Sequence, residues 1–272
     1  MRVLAINDIS CVGKCSLTAA LPIISACGIE CTVLPTAVLS THTGGFEGYT
    51  FRDLTDDFSD VLSHWKKLGL KFDYIYSGYL GSIHQIELVS SIKNQFLDKN
   101  GVFVVDPVMG DSGTLYAGFS QEYVNKMREL CKEADFILPN MTEACYLADF
   151  PYPLNKTSAE QALEKLALLC PIPVITGITD SDGISVFFKD GLGNAHTLSH
   201  ESTEGFFCGA GDVFASAFIG CMARGKNVEE AIRLASDFAA ACIRRSAKEV
   251  PDKRFGLPFE AELYPFLQKL NG

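Results

Sequence analysis

Near the C-terminal third, the run Phe206-Phe207-Cys208-Gly209-Ala210-Gly211-Asp212-Val213-Phe214 places two glycines and a carboxylate at the mouth of an apolar helix spanning roughly 212–223. Glycine lets backbone N–H groups approach an anion closely, and a helix N-terminus favours negative charge, so the run suits phosphate chemistry. A carboxylate among such donors repels a phosphate rather than binding it. Asp212 therefore reads as a general base or a metal organiser, with a helix cap as the plain structural alternative.

Polar residues with similar potential follow several predicted strands. Asn7, Asp8 and Ser10 follow Arg2–Ile6, and Ser77, Gly78 and Tyr79 follow Phe72–Tyr76. Asp106 and Asp111 follow Val102–Val105, Asn140 and Glu143 follow Ala134–Leu138, and Thr176 and Gly177 follow Ile172–Ile175. Ligands of open α/β sheets gather outside the C-terminal strand ends, so these positions converge on one rim. Each has a plain role too: Asp106 before Pro107 suits a turn, and Asn140 with Glu143 suits a cap and first helical turn. Clustered acids beside a polyphosphate require a cation, and hard oxygen ligands suit Mg²⁺.

The elements that must position these residues alternate between strand and helix. Helices are expected at Lys14–Ala26, Asp53–Leu68, Ile83–Leu97, Gln121–Cys131, Ser158–Cys170 (capped by Ser158), Val228–Ser246 and Phe259–Leu267. A strand at Glu30–Leu34 is expected to close at Pro35, and Ile184–Phe188 with Ala195–Leu198 reads as an antiparallel hairpin on the sheet edge. Short apolar strands alternating with amphipathic helices imply an α/β fold, a mostly parallel sheet covered on both faces, in one domain over 1–272.

Composition narrows the partners. The 272 residues are 47% hydrophobic with net charge −10, and a pI near 5.0 argues against nucleic acid and anionic membranes as partners. No apolar run approaches the ~20 residues that span a bilayer, and Met1–Asn7 has no basic leader, so a cytoplasmic location is the expectation. The ten cysteines include no Cys-x-x-Cys pair and no accompanying His cluster. They read as small hydrophobes in a reducing compartment rather than as zinc ligands.

Four motifs carry a family resemblance: Ser40-Thr41-His42-Thr43-Gly44, Gly78-Tyr79-Leu80-Gly81, Asp106-Pro107-Val108-Met109-Gly110-Asp111 and Gly209-Ala210-Gly211-Asp212. Over nearly its whole length the chain resembles the pyridoxal (pyridoxine, pyridoxamine) kinases of the ribokinase-like superfamily. The resemblance implies a three-layer α/β/α fold and ATP-dependent phosphorylation of the 5′-hydroxymethyl group of a vitamin B6 vitamer. It makes Asp212 the general base, with Gly209, Ala210 and Gly211 donating N–H groups to the transferred phosphoryl. It assigns Ser10, Thr43 and Tyr79 to the pyridine pocket, and Asp106, Asn140, Glu143, Thr176 and Gly177 to the nucleotide side. Asp106, Asp111 and Glu143 become Mg²⁺ holders, directly or through water, and a homodimer is implied, with the polar hairpin region as one edge for pairing.

Some positions depart from that pattern or stay open. Leu138 stands where many relatives have a Thr at a monovalent-cation site, so a K⁺ requirement does not carry over. Ala210 replaces a Thr but keeps its backbone donor. The glycine-bearing stretch 110–118 is expected to be a lid, His42 a loop-shaping residue, and Phe206 and Phe207 core packing. Alternatives are a hydroxymethylpyrimidine kinase and a non-catalytic vitamer-binding protein; a sugar kinase is disfavoured because Tyr79 suits a flat ring.

Overall fold

Runs rich in Val, Ile, Leu and Phe, apolar on both sides, form strands that must be covered on two faces. The computed structural model describes residues 1–180 and 183–272, residue 180 by its backbone alone. The strands are β1 (Arg2–Val12), β2 (Glu30–Thr41), β3 (Phe51–Asp53), β4 (Phe72–Ser77), β5 (Leu97–Val105), β6 (Gly110–Asp111), β7 (Thr114–Leu115), β8 (Phe136–Ile137), β9 (Ile172–Asp180), β10 (Gly183–Lys189) and β11 (Ala195–His200). The helices are α1 (Ser16–Ala26), α2 (Phe58–Lys67), α3 (Ile83–Phe96), α4 (Gln121–Lys132), α5 (Met141–Ala148), α6 (Lys156–Leu166), α7 (Ala210–Ala223), α8 (Val228–Glu249) and α9 (Glu260–Asn271).

Among the described residues the main sheet runs β11-β10-β9-β8-β5-β4-β1-β2-β3, with β6 and β7 paired apart from it. The strands from β9 to β2 in that order are parallel. β3 lies antiparallel at one edge, and β10 and β11 form the expected antiparallel hairpin at the other. Alternate residues of β1 feed two cores: Val3 and Ala5 pack toward α1, α7, α8 and α9, while Leu4 and Ile6 pack toward α2 to α6. The three-layer α/β/α architecture follows from that alternation. Helix α7 is apolar almost all round, as befits a helix buried against both the sheet and its helical neighbours.

Several elements differ from expectation. β1 does not stop at Ile6 but continues through its polar residues to Val12. Pro35 does not close β2, because β3 pairs only from Ala37 onward and Pro35 has a strand neighbour on one side alone. The stretch predicted as a helix from Asp53 begins as β3 and a short 3₁₀ turn at Thr55–Asp57, since Asp53 Oδ1 accepts the Thr55 N–H at 2.7 Å and ends the strand first. Helix α6 is capped by Asn155 rather than Ser158. The two form a reciprocal box, Ser158 N–H to Asn155 Oδ1 at 2.9 Å and Asn155 N–H to Ser158 Oγ at 2.8 Å.

Candidate active site

β4 flanks β1 only from Val3 to Ile6, so beyond Ile6 one edge of β1 opens into a cleft along the C-terminal ends of the parallel strands. The cleft has a volume of about 380 Å³ and is lined by Asn7, Asp8, Ser10, Thr43, Tyr79, Asp106, Asp111, Asn140, Glu143, Thr176, Gly177, Gly209, Ala210, Gly211 and Asp212, whereas Ser77, fully buried, and Gly78 of the nominated rim residues do not line it. Convergence of five strand ends on one rim is thus a property of the fold.

The N-terminus of α7 forms one wall. Gly209 is the N-cap residue with φ of 78°, and a Cβ there would lie 2.3 Å from the Lys14 carbonyl oxygen, so only glycine fits. No side chain caps α7 among the described residues, whereas Ser82, Ser120, Asn140, Asn155 and Asn227 cap α3, α4, α5, α6 and α8. The first-turn N–H groups of α7, with no partner inside the helix, remain available to a ligand. Asp212 lies in that first turn and makes no capping bond, so the plain structural alternative for it fails.

Asp212 is oriented from β1. Asn7 donates through Nδ2 to Asp212 Oδ1 at 3.3 Å, while its own Oδ1 accepts the N–H groups of Tyr79 at 2.8 Å and Asp8 at 3.0 Å. Two backbone donors thus fix which end of the Asn7 amide faces Asp212. Burial in the cleft pushes the Asp212 carboxyl up to about 6; nearby Asp8 adds to the rise, and the Ser16 N–H and Asn7 amide oppose it.

Deeper in the cleft, Asp106 is raised well above the usual carboxylate range by burial and then by the neighbouring Glu143 and Asp212. Glu143 is raised by burial against the opposing pull of backbone donors. Its Oε2 accepts the Asn140 N–H at 2.9 Å and its Oε1 the Met109 N–H at 3.1 Å. Asn140 returns the bond through Oδ1 to the Glu143 N–H at 3.0 Å and donates Nδ2 to the Gly110 carbonyl at 2.9 Å. The pair is therefore a capping box that ties α5 to the β6–β7 hairpin, with lone pairs of Glu143 left over. Among the described residues no three His, Cys, Asp or Glu side chains are grouped to hold an ion by themselves. Asp106, Asp111 and Glu143 line the cleft without forming a preassembled metal cage.

Thr176 and Gly177 reach the cleft through a β-bulge that sequence reasoning did not anticipate. β9 places an extra residue opposite Val186 between the Ile175–Phe187 and Ile178–Ser185 pairs, and Gly177 takes φ of 73° there. The cap and first helical turn offered for Asn140 and Glu143 open helix α5, whereas the β6–β7 hairpin inside the expected lid was missed. The hairpin turns on Ser112 and Gly113, both at positive φ, and two-residue strands give no periodicity to read.

Other lining residues refine the first reading. His42 shapes its loop as expected: Gly44 N–H donates to Nδ1 at 3.1 Å, and Nε2 meets the Arg254 carbonyl at 2.5 Å. Phe206 is not core packing, being 54% exposed at the cleft mouth, whereas Phe207 packs on the core. His200 on β11 and Ser236 on α8 also line the cleft, and His200 Nε2 and Ser236 Oγ are buried without a hydrogen-bond partner among the described residues. Nothing in the local sequence marks those two. The described lining contains Asp8, Asp106, Asp111, Glu143 and Asp212 but no Lys or Arg. No helix among the described residues is long and apolar enough to cross a membrane, and the ten cysteines are free, eight of them buried.

Residues 16–254 match the family model described as phosphomethylpyrimidine kinase. A crystal structure from Bacteroides thetaiotaomicron, assigned as a phosphomethylpyrimidine kinase and determined with pyridoxal, is 37% identical and superposes with a TM-score of 0.92 over 97% of this chain and 95% of that one. Pyridoxal kinase from Lactobacillus plantarum is 33% identical with a TM-score of 0.90 over 98% and 96% of the two chains. A pyridoxal kinase from Arabidopsis thaliana is 26% identical over 271 residues, 90% of this chain and 82% of its own length.

Proposed function

The chain belongs to the phosphomethylpyrimidine kinase family and stands among the pyridoxal kinases of the ribokinase-like fold, and from this we propose that it phosphorylates the 5′-hydroxymethyl group of a B6 vitamer with ATP. The observation that carries the reading is the pairing, in one cleft, of the Asp212 carboxylate with the uncapped N-terminus of α7. In the reaction the substrate hydroxyl gives its proton to Asp212 as its oxygen bonds to the γ-phosphorus of ATP. The bond from that phosphorus to the bridging oxygen breaks, and the products are the 5′-phosphate and ADP. Backbone N–H groups of Ala210 and Gly211 face the charge on the transferred group, where preorganised donors act most strongly. Asn7 holds the Asp212 carboxylate in place for the proton.

Thr43 and Tyr79 supply a hydroxyl and an aromatic face for a flat ring, and Tyr79 leans on Phe119 with centroids 5.9 Å apart. Thr176, Gly177 and the apolar wall of Val186, Phe214 and Ile243 form the nucleotide end, where His200 Nε2 and Ser236 Oγ offer partners to a base edge. Bound Mg²⁺ would neutralise charge on the phosphates. Asp106, Asp111 and Glu143 are the residues that would hold it; burial raises Asp106 most, and the added repulsion from Glu143 and Asp212 fits a site relieved by a cation.

Hydroxymethylpyrimidine phosphorylation is the second reading, favoured by the description of the matching family model. ATP turnover with Mg²⁺ against pyridoxal, pyridoxine, pyridoxamine, hydroxymethylpyrimidine and ribose tests both. A preference in kcat/KM for any B6 vitamer supports the first reading; preference for hydroxymethylpyrimidine replaces it with the second, and preference for ribose overturns both. Self-association as a homodimer belongs to the same proposal, with the outer edges of β11 and β3 as the ends of the main sheet, and sedimentation velocity measures it.

A further inference from the structure

One carboxylate in the cleft has no task in phosphoryl transfer as described. Asp8 is 5% exposed, lies on the open edge of β1 next to Asn7, and lines the cleft together with His42, Thr43 and Tyr79. The Ser10 hydroxyl donates to its Oδ2 at 2.9 Å. Ser10 is itself fully buried, so its proton is committed to Asp8, and the group offered to a ligand is the carboxylate behind which Ser10 stands.

The surroundings of Asp8 give it no cation. The titratable groups facing it are Asp212 from α7, Cys15 and His42 from the loops after β1 and β2, Tyr76 from β4 and Tyr79 from the loop after it. His42 is engaged at both ring nitrogens with backbone groups, and no Lys or Arg lines the cleft among the described residues. A buried carboxylate without a charged partner is costly, and burial indeed raises the Asp8 carboxyl above its ordinary range. Such a group is retained in a ligand site when the ligand supplies the compensating donor.

Resting on the proposed kinase reading, we propose that Asp8 selects the ring of the acceptor substrate by pairing with a ring N–H, so that the site takes protonatable nitrogen heteroaromatics and rejects carbocyclic rings of the same shape. A 3-hydroxypyridine in neutral water is in part a zwitterion that carries its proton on the ring nitrogen. The carboxylate–pyridinium pair is a recurrent way to bind and polarise that ring. One proton lies between the two partners, and a charge-assisted hydrogen bond replaces the missing cation. Asp212, at the other side of Asn7, is left to the hydroxymethyl group.

The test compares binding of pyridoxine, which has no amine to compete for Asp8, with its benzene isostere carrying CH in place of the ring nitrogen. Calorimetry on the wild-type chain is expected to show pyridoxine bound about 10- to 100-fold more tightly. Asp8→Asn, which keeps the shape, and Asp8→Ser, which removes the bulk, should bring that ratio to within about threefold while leaving affinity for the isostere nearly unchanged. A ratio that persists in both folded variants, or a wild-type protein that binds the two rings equally, overturns the assignment of Asp8 and leaves the kinase reading standing if vitamer turnover is intact. Failure of the wild-type chain to bind either ring overturns both.

Discussion

Replacing Asp212 by Asn should make the protein a poorer catalyst and a more stable molecule at once. Loss of a positioned general base costs about 10²- to 10⁴-fold in kcat, because no other group replaces the proton acceptor in line with the hydroxyl. The pH profile carries an independent signature. With its carboxyl raised to about 6, Asp212 is mostly ionised at pH 7 and mostly protonated at pH 5. Turnover of the wild type should therefore fall about tenfold between pH 7 and pH 5, where a carboxylate near its ordinary value of about 4 would lose only about a tenth.

The stability arm has the opposite sign. A folded-state value above the unfolded one gives stability that is complete below the unfolded value and lost as pH rises through about 6. At pH 7 the ionised carboxylate is thus a net burden, at most about 3 kcal/mol by the usual 1.36 kcal/mol per pH unit, and about 1 kcal/mol once the opening of the cleft to water is allowed for. Asp212→Asn removes it, and a chain of this length should gain about 2–4 °C in Tm. Coupled detection of ADP release and differential scanning fluorimetry at pH 7 measure the two arms. Turnover within tenfold of wild type, or a variant that melts earlier with unchanged cofactor and buffer, would refute the role given to the carboxylate.

Two glycines of the same turn should separate fold from function. At Gly209 a methyl would strike the Lys14 carbonyl at positive φ, so Gly209→Ala should cost about 2–4 kcal/mol, read by urea unfolding. At Gly211 a Cβ meets only Asp106 Oδ2, at 4.0 Å, so Gly211→Ala should fold as well as wild type yet lose at least about tenfold in kcat/KM for ATP, because the methyl occupies the approach to the α7 donors. ADP without metal should shift Tm little, and ADP with Mg²⁺ should shift it by several degrees; equal shifts, seen by scanning fluorimetry with and without EDTA, would remove the metal role from Asp106, Asp111 and Glu143.

The layered fold was legible because both of its periodicities are strong: runs buried on both faces at Tyr74–Ser77, Phe103–Val105 and Pro173–Ile175, and amphipathic stretches for α4 and α8. The rim was legible for a related reason, since polar residues interrupting apolar runs stand out where strands end. That same interruption concealed the true extent of β1, whose polar residues Asn7, Asp8 and Ser10 remain in the strand. β6 and β7 are two residues each, too short for any pattern, whereas β8, equally short, was legible from the apolar run Ala134–Leu138 around it; the Thr176–Gly177 bulge is set by register against β10. The order of Asp8 and Ser10 in the site was hidden for a different reason. Which of two neighbouring polar side chains faces a ligand depends on a hydrogen bond 2.9 Å long between them, and residue type alone does not reveal it.

The charge of the cleft ties these observations together. Five acids and no Lys or Arg among the described lining residues make it a poor receptor for a polyanion taken alone. On the proposed reading nucleotide binding is coupled to a cation, because the backbone donors at α7 are too few to offset a triphosphate, and that cation would offset the charge that Glu143 sets against the buried Asp106. At the other end the same surplus of negative charge selects an acceptor that brings its own positive one. Asp212 between them is held by a neutral amide, not by a cation. A Lys or Arg at Asn7 would drive its carboxyl down and weaken it as a base, whereas the Asn7 amide orients it and leaves it raised to about 6. On that reading the lack of basic residues in the described lining is one physical condition that serves metal dependence, ring selection and base strength together.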